Sequence, residues 1–207
     1  MWRRLIYSFL VVAVTAIPVA AQTGGWRQLY NGKDMTGWQH VGPGDFVIDN
    51  GLLKGVGGMG LLWYTGREFG NCEFRLVFHG ENHDSNSGFY IRIPEKPTEP
   101  GMPVKLAHEI QIADGETGEI FGLTKPKVDA ATPGAGWNTM LVTLDGPRTI
   151  VKLNGRLVTD YTEGTAKPFI SWIGPEIRPN EGYIGVQNHP PTGVYFKEIA
   201  WRPLQRK

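Results

Sequence analysis

The sequence predicts an all-β protein: a two-sheet antiparallel sandwich of more than ten short strands, with little helix. Three observations carry this. Apolar residues alternate with period two along several segments, and no segment carries the sustained apolar stripe of an amphipathic helix. Asn-Gly pairs fall between such segments, and the type I′ hairpin turn needs positive φ at both of its central residues. Glycine supplies 28 of 207 residues, about twice its usual share of roughly 7%, which suits a chain that turns often.

Taken in order, Phe46-Val47-Ile48 and Leu52-Leu53 flank Asn50-Gly51, and Ile150 to Leu153 and Arg156-Leu157-Val158 flank Asn154-Gly155. Asp145-Gly146 adds a third candidate turn. Cys72, Phe74, Leu76 and Phe78 share one face of a strand, with Glu73, Arg75, Val77 and His79 on the other. Phe89, Ile91 and Ile93 alternate with Tyr90 and Arg92. His108, Ile110 and Ile112 alternate with Glu109 and Gln111, and Ile184 and Val186 with Gly185 and Gln187. Strands at short intervals without intervening helices exclude a parallel α/β sheet. The polar stretches 94–103 and 128–136 read as long loops able to wall a binding site.

The amino terminus reads differently. Arg3 and Arg4 precede an apolar run over residues 5–17, Pro18 breaks it, and Val19-Ala20-Ala21 offers small residues for cleavage. That is the pattern of a secretory signal peptide over 1–21, which leaves a single domain over 22–207. A membrane anchor is the competing reading, but a spanning helix needs about 20 apolar residues. No cysteine sits at the junction to carry a lipid, so no membrane anchor is expected after cleavage, and the destination is secreted or periplasmic. Loss of the leader takes the net charge from +1 to −1, which argues against a nucleic-acid partner. Cys72 is the only cysteine. It has no partner for an internal disulfide, so a buried core must hold the fold.

Two motif matches fail on context. Gly55-Val56-Gly57-Gly58-Met59-Gly60 fits G-x-G-x-x-G, but it leads into the strand-like Leu61-Leu62-Trp63-Tyr64-Thr65 rather than the helix a dinucleotide site requires. It reads as a flexible connector. His108-Glu109-Ile110-Gln111-Ile112 begins like a zinc-protease signature but has Ile112 where the second ligand belongs.

More informative is the polar side of the strands. Tyr90 and Arg92, Glu109 and Gln111, and Gln187 all lie out of phase with large apolar residues. If those strands are neighbours, the four residues Arg92, Glu109, Gln111 and Gln187 converge on one concave face, with His189 at its rim. An ordinary solvated outer face would show the same parity. Amides, a carboxylate and a guanidinium beside Tyr and Trp also suit a sugar, whose hydroxyls take hydrogen bonds and whose C–H patches take flat apolar faces.

The ordered set of motifs resembles the bacterial 3-keto-disaccharide (3-keto-glycoside) hydrolase family. It runs from Leu29-Tyr30-Asn31-Gly32-Lys33-Asp34 and Gly37-Trp38 through Asn86-Ser87-Gly88-Phe89-Tyr90-Ile91-Arg92 and Glu109-Ile110-Gln111-Ile112-Ala113-Asp114. It continues through Thr117 to Gly122, Trp137-Asn138-Thr139 and Leu153-Asn154-Gly155. Gly182 to Gln187 with His189, and Phe196 to Ile199, complete it. The resemblance implies a concanavalin/laminin-G-like jelly-roll sandwich, usually secreted, that cleaves glycosides already oxidised at C3. It carries Asn86, Ser87, Tyr90, Arg92, Glu109, Gln111, Asp114, Gln187 and His189 as family-like positions, with Trp137 as a further sugar contact. The chain departs from the family at Lys197-Glu198, where Arg-Asn is common, and at Asn71-Cys72.

The chemistry so implied needs few parts. A C3 ketone acidifies the C2 proton and sets the C1 substituent β to the resulting carbanion, so proton abstraction and elimination break the glycosidic bond and water then adds. Glu109 or His189 could be the base and Arg92 the stabiliser of the enolate oxygen, with Asn86, Tyr90, Gln111, Asp114, Trp137 and Gln187 binding substrate. The sequence implies no definite cofactor; a divalent metal ion, held by carboxylates and His189, could stabilise the enolate in place of Arg92. Two other readings stand beside this one. The domain could be a non-catalytic carbohydrate-binding module, or it could hydrolyse ordinary glycosides with two carboxylates, for which Glu109 and Asp114 are the candidates.

Overall fold

The computed structural model describes residues 25–132, 136–174, 177–190 and 193–205. The expected leader and its cleavage site lie outside them. Thirteen strands and one short helix are present among the described residues. The larger sheet runs in the order β11 (Arg156–Thr162), β10 (Arg148–Leu153), β9 (Asn138–Asp145), β6 (Cys72–Gly80), β13 (Val194–Pro203), β4 (Leu52–Val56), β3 (Asp45–Asp49). The two-residue β1 (Arg27–Gln28) also pairs with β13. The smaller sheet runs β2 (Trp38–Val41), β5 (Gly60–Tyr64), β12 (Tyr183–Asn188), β7 (Ser87–Ile93), β8 (His108–Ile112). Every pairing is antiparallel, as expected for a jelly-roll sandwich.

Local chemistry explains the turns. Asn50 and Gly51 join β3 to β4 with φ of 50° and 82°, and Asn154 and Gly155 join β10 to β11 with 50° and 81°. These are the positive values that a type I′ turn demands and that β-branched residues resist. Asp145-Gly146 turns β9 into β10. The G-x-G-x-x-G stretch carries the chain from β4 to β5, that is, from one sheet to the other. It is less free than its glycines suggest. Asn188 Nδ2 donates to the Val56 and Gly58 carbonyls at 2.7 and 2.9 Å, and a Cβ on Gly55 would press on the Asn188 amide.

Between the sheets lies one apolar core. Cys72, Phe74, Leu76 and Phe78 of β6 point inward against Phe89, Ile91, Ile110, Ile112, Ile184 and Val186. Phe69, Phe74, Phe89 and Trp201 meet edge to face, with ring centres 5.1 to 5.3 Å apart, the arrangement that ring quadrupoles prefer. The Cys72 thiol is buried there, and burial pushes its pKa up to about 12. Asn71, the other half of that departure from the family, accepts a hydrogen bond from the Gly146 amide at 2.7 Å.

The two outer faces differ. Along β6 buried and half-buried residues alternate, whereas β7 and β8 are buried at every position. The smaller sheet therefore has a covered outer face. Its roof is the helix α1 (Met102–Leu106), whose Met102 and Val104 pack with Ala107 on Leu61, Trp63, Tyr90 and Ile93. Residues 118–121 run beside β8 and hydrogen-bond to it through Gln111 N, Gly118 N and Phe121 N.

Candidate functional site

Part of that roof is open, and the opening is a cavity of about 220 Å³. Its lining includes Glu109 and Gln111 from β8, Gln187 from β12, Asn86 and His189 from the adjoining strand ends, Met59 from the inter-sheet connector and Val104 from α1. Phe121 and Trp172 complete the wall.

Strand pairing sets these positions. Tyr90 lies opposite Glu109 in the β7–β8 register and opposite Gly185 in the β12–β7 register, so three adjacent strands bring their outward side chains together. Gln187 Nε2 donates to the Tyr90 hydroxyl at 2.6 Å, and that hydroxyl in turn hydrogen-bonds Glu109. Gly88, opposite Gln111, leaves the space that the Glu109 carboxyl fills; any Cβ at 88 would overlap it. Gln111 Oε1 accepts the Ile112 amide at 3.1 Å, which leaves its NH₂ group for the cavity. Asn86 Oδ1 is buried and finds no partner among the described residues. A buried acceptor without a donor is uncommon in a folded protein and fits a group that a ligand hydroxyl completes.

The Glu109 side chain is the chemical centre. Burial raises its pKa from 4.5 to about 8, the Tyr90 hydrogen bond pulls it down, and the Glu119 carboxylate pushes it up. Glu119 itself is occupied elsewhere, accepting Gly122 N at 3.0 Å and Lys125 Nζ at 3.1 Å. Burial also lifts the Tyr90 hydroxyl well above its ordinary value, so it stays protonated. A carboxyl with a pKa near neutrality can take or give a proton at working pH.

Three of the four side chains expected on one face are there. Arg92 is not, and the reason is a bulge. Between Tyr183 and Gly185 of β12 the partner strand advances from Ile93 to Tyr90, one residue more, and Arg92 sits in the gap with φ of 59°. The extra residue resets the alternation, so Tyr90 and Ile93 face outward together while Arg92 turns in toward the larger sheet. There it is fully buried, bound to Glu163 Oε1 at 2.6 Å and to the Gly146 carbonyl at 2.7 Å. His108 Nε2 meets the same Glu163 oxygen at 2.5 Å, and the Arg178 amide donates to the other oxygen at 3.2 Å. Arg92 is a structural ion-pair partner and touches nothing in the cavity.

Two further expectations are displaced. Asp114 is exposed and pairs with His83 at 3.2 Å beside a separate depression of about 50 Å³. The two-carboxylate arrangement therefore loses its second member. Trp137 stands on the outer face of the larger sheet, edge-on to His79 with Lys197 over its ring. Glu198, where the family departure fell, pairs with Arg75 on that same sheet at 2.5 Å. Ala131 and Thr132, from the loop expected to wall the site, line the Asp114 depression instead. Among the described residues no three His, Cys, Asp or Glu side chains are grouped to hold a metal ion. Gly88, Phe121 and Trp172 escaped the sequence reading, since each matters through a neighbour remote in the chain.

An antiparallel jelly roll with a small cavity let into one sheet face, walled by apolar and hydrogen-bonding side chains around a buried carboxyl, defines a carbohydrate-acting sandwich. Residues 25–202 match the model of the 3-keto-alpha-glucoside-1,2-lyase-like domain, and the chain belongs to that family. Among curated proteins no sequence matches it. Among solved structures it is similar to a candidate glycosyl hydrolase from Parabacteroides distasonis ATCC 8503, at 25% identity and TM-score 0.73 over 86% of this chain and 99% of that one. A Bacillus subtilis protein of unknown function with a galectin-like fold aligns at TM-score 0.63 and 14% identity, over 88% and 96%. The carbohydrate-binding module CBM66 from Bacillus subtilis aligns at 0.56 and 14%, over 80% and 95%. The last two share the fold.

Proposed function

We infer that this domain cleaves 3-keto-glycosides by elimination, with Glu109 as the base. The observation that carries the reading is that, among the described residues, one carboxyl lines the cavity, buried and with its pKa raised to about 8. Ordinary glycoside hydrolysis uses two carboxyl groups roughly 5–9.5 Å apart across the scissile bond. Elimination from a 3-keto sugar needs only one base.

Ionised Glu109 removes the C2 proton, and the electron pair passes to the C3 carbonyl as an enolate. The enolate collapses, C1 and C2 become doubly bonded, and the C1–O bond breaks. The departing oxygen takes a proton from Glu109, and water then adds across the double bond to give the free 3-keto sugar. With Arg92 elsewhere, the Gln111 NH₂ group is the donor available to the enolate oxygen, and such preorganised donors act where charge develops. Asn86 and Gln187 take sugar hydroxyls, and His189, half-buried on the same wall, stands where the leaving oxygen departs. The expected leader makes export part of the same reading.

Release of aglycone from a 3-keto-glucoside, compared with its parent glucoside, tests this directly. Turnover of the keto substrate alone is expected. Binding of both without turnover of either would replace the reading with a carbohydrate-binding module, the activity named for one structure of shared fold.

A further inference from the structure

We propose that the exposed face of Trp172 is the leaving-group subsite of this cavity and selects glycosides whose C1 substituent presents a flat apolar face. The proposal rests on the assignment of the Glu109 cavity to glycoside cleavage. At about 220 Å³ the cavity is smaller than the roughly 300–1,000 Å³ that encloses a drug-sized ligand. It suits one sugar ring. The group attached at C1 must then leave through the mouth.

Trp172 lines the cavity yet is 55% exposed. Its exposure is built in by its neighbours. Ile173 beside it is buried and, with Ile170, fills the space left by the absent side chain of Gly122. Gly174 packs against the Lys105 carbonyl at the end of α1, and Phe169 N donates to Gly122 O at 2.9 Å. Anchored before and after, the loop turns the indole outward, backed by the Phe121 ring at 6.1 Å. Exposed Phe169 nearby already has the Lys125 ammonium over its ring. A large apolar surface held toward water at the mouth of a cavity marks where a ligand covers it. An aryl group and the C–H face of a second sugar share the required chemistry.

Calorimetric titration of the whole mature protein with phenyl, glucosyl and methyl glucosides of one anomer reads the subsite without turnover. Phenyl should bind about tenfold tighter than methyl, in line with one ring-stacking contact. Trp172→Ala should bring that ratio close to one, and Trp172→Phe should keep part of it. A glucosyl preference lost in the same variant identifies the second-sugar source, and its absence identifies the aryl source. Equal ratios in wild type and Trp172→Ala, or no binding of the phenyl compound, would overturn the subsite. Failure of the cleavage reading looks different: the 3-keto substrates are not turned over while the phenyl-to-methyl ratio still depends on Trp172.

Discussion

Glu109 is held in the state that costs the fold most when it ionises. Its folded pKa of about 8 lies above the ordinary 4.5, so between those values the native protein binds more protons than the unfolded chain. The contribution of Glu109 to stability is therefore fully present below about pH 4.5 and is lost as pH rises toward 8, by at most roughly 1.4 kcal/mol per unit. Glu109→Gln removes the ionisation and keeps the shape. It should abolish release of aglycone from a 3-keto substrate, and its melting temperature should exceed that of the wild type by a margin that widens from pH 5 to pH 8. A base role also sets the sign of the activity profile: kcat/KM should climb with pH and level off near 8. An activity that falls through 8 would make Glu109 the acid instead.

At the scale of elements, β7 decides what the site contains. Gly88 gives up its side chain so that the Glu109 carboxyl can lie across the strand. Gly88→Ala should lower kcat by at least tenfold at a stability cost of about 1–3 kcal/mol, as expected for overpacking, measured on protein that still shows a β-rich far-UV spectrum. Four residues on, the bulge sends Arg92 inward to Glu163. Burial alone would raise the Glu163 pKa, but the His108 hydrogen bond and charge, the Arg178 amide and Arg92 outweigh it and lower the value. Burial lowers His108 as well, against the pull of Glu163. Both groups resist protonation in the native state, so this contribution is present at neutral pH and lost as pH falls, His108 first and Glu163 later. Arg92→Met leaves the buried Glu163 carboxylate without its guanidinium partner, held only by His108 and the Arg178 amide, and should cost about 3–5 kcal/mol in chemical denaturation. Its kcat per folded molecule should stay near wild type. A variant of normal stability and slowed turnover would return Arg92 to the chemistry.

For the molecule as a whole, the sandwich is a scaffold whose inner faces hold the core and whose smaller sheet carries the candidate cavity on its outer side. The outer surface of that sheet was expected to be open and concave. It is instead covered in part by α1, with Phe121 and Trp172 walling the opening that remains, and burial there raises the Glu109 pKa. Export belongs to this scale too. Mass spectrometry of the protein recovered outside the cytoplasm should find an amino terminus at Gln22, and an intact leader on that material would overturn the signal-peptide reading.

Strand alternation, the Asn-Gly turns and the inward set of β6 are local properties, because side-chain period and turn dihedrals depend on near neighbours. From these the sequence by itself determined an all-β sandwich, and the ordered motifs pointed to the family and to Glu109, Gln111 and Gln187. Arg92 escaped because a bulge breaks period two, and its buried partner Glu163 lies 71 residues away. Asp114 and Trp137 sit within family motifs, but they fall just after β8 and just before β9, where the chain has left the cavity wall. Only the tertiary structure decided which carboxyl lines the cavity, how far burial raises its proton affinity, and that Trp172 closes the wall. Each of those depends on segments that meet only when the chain is folded, and burial has no signature in the residues that undergo it.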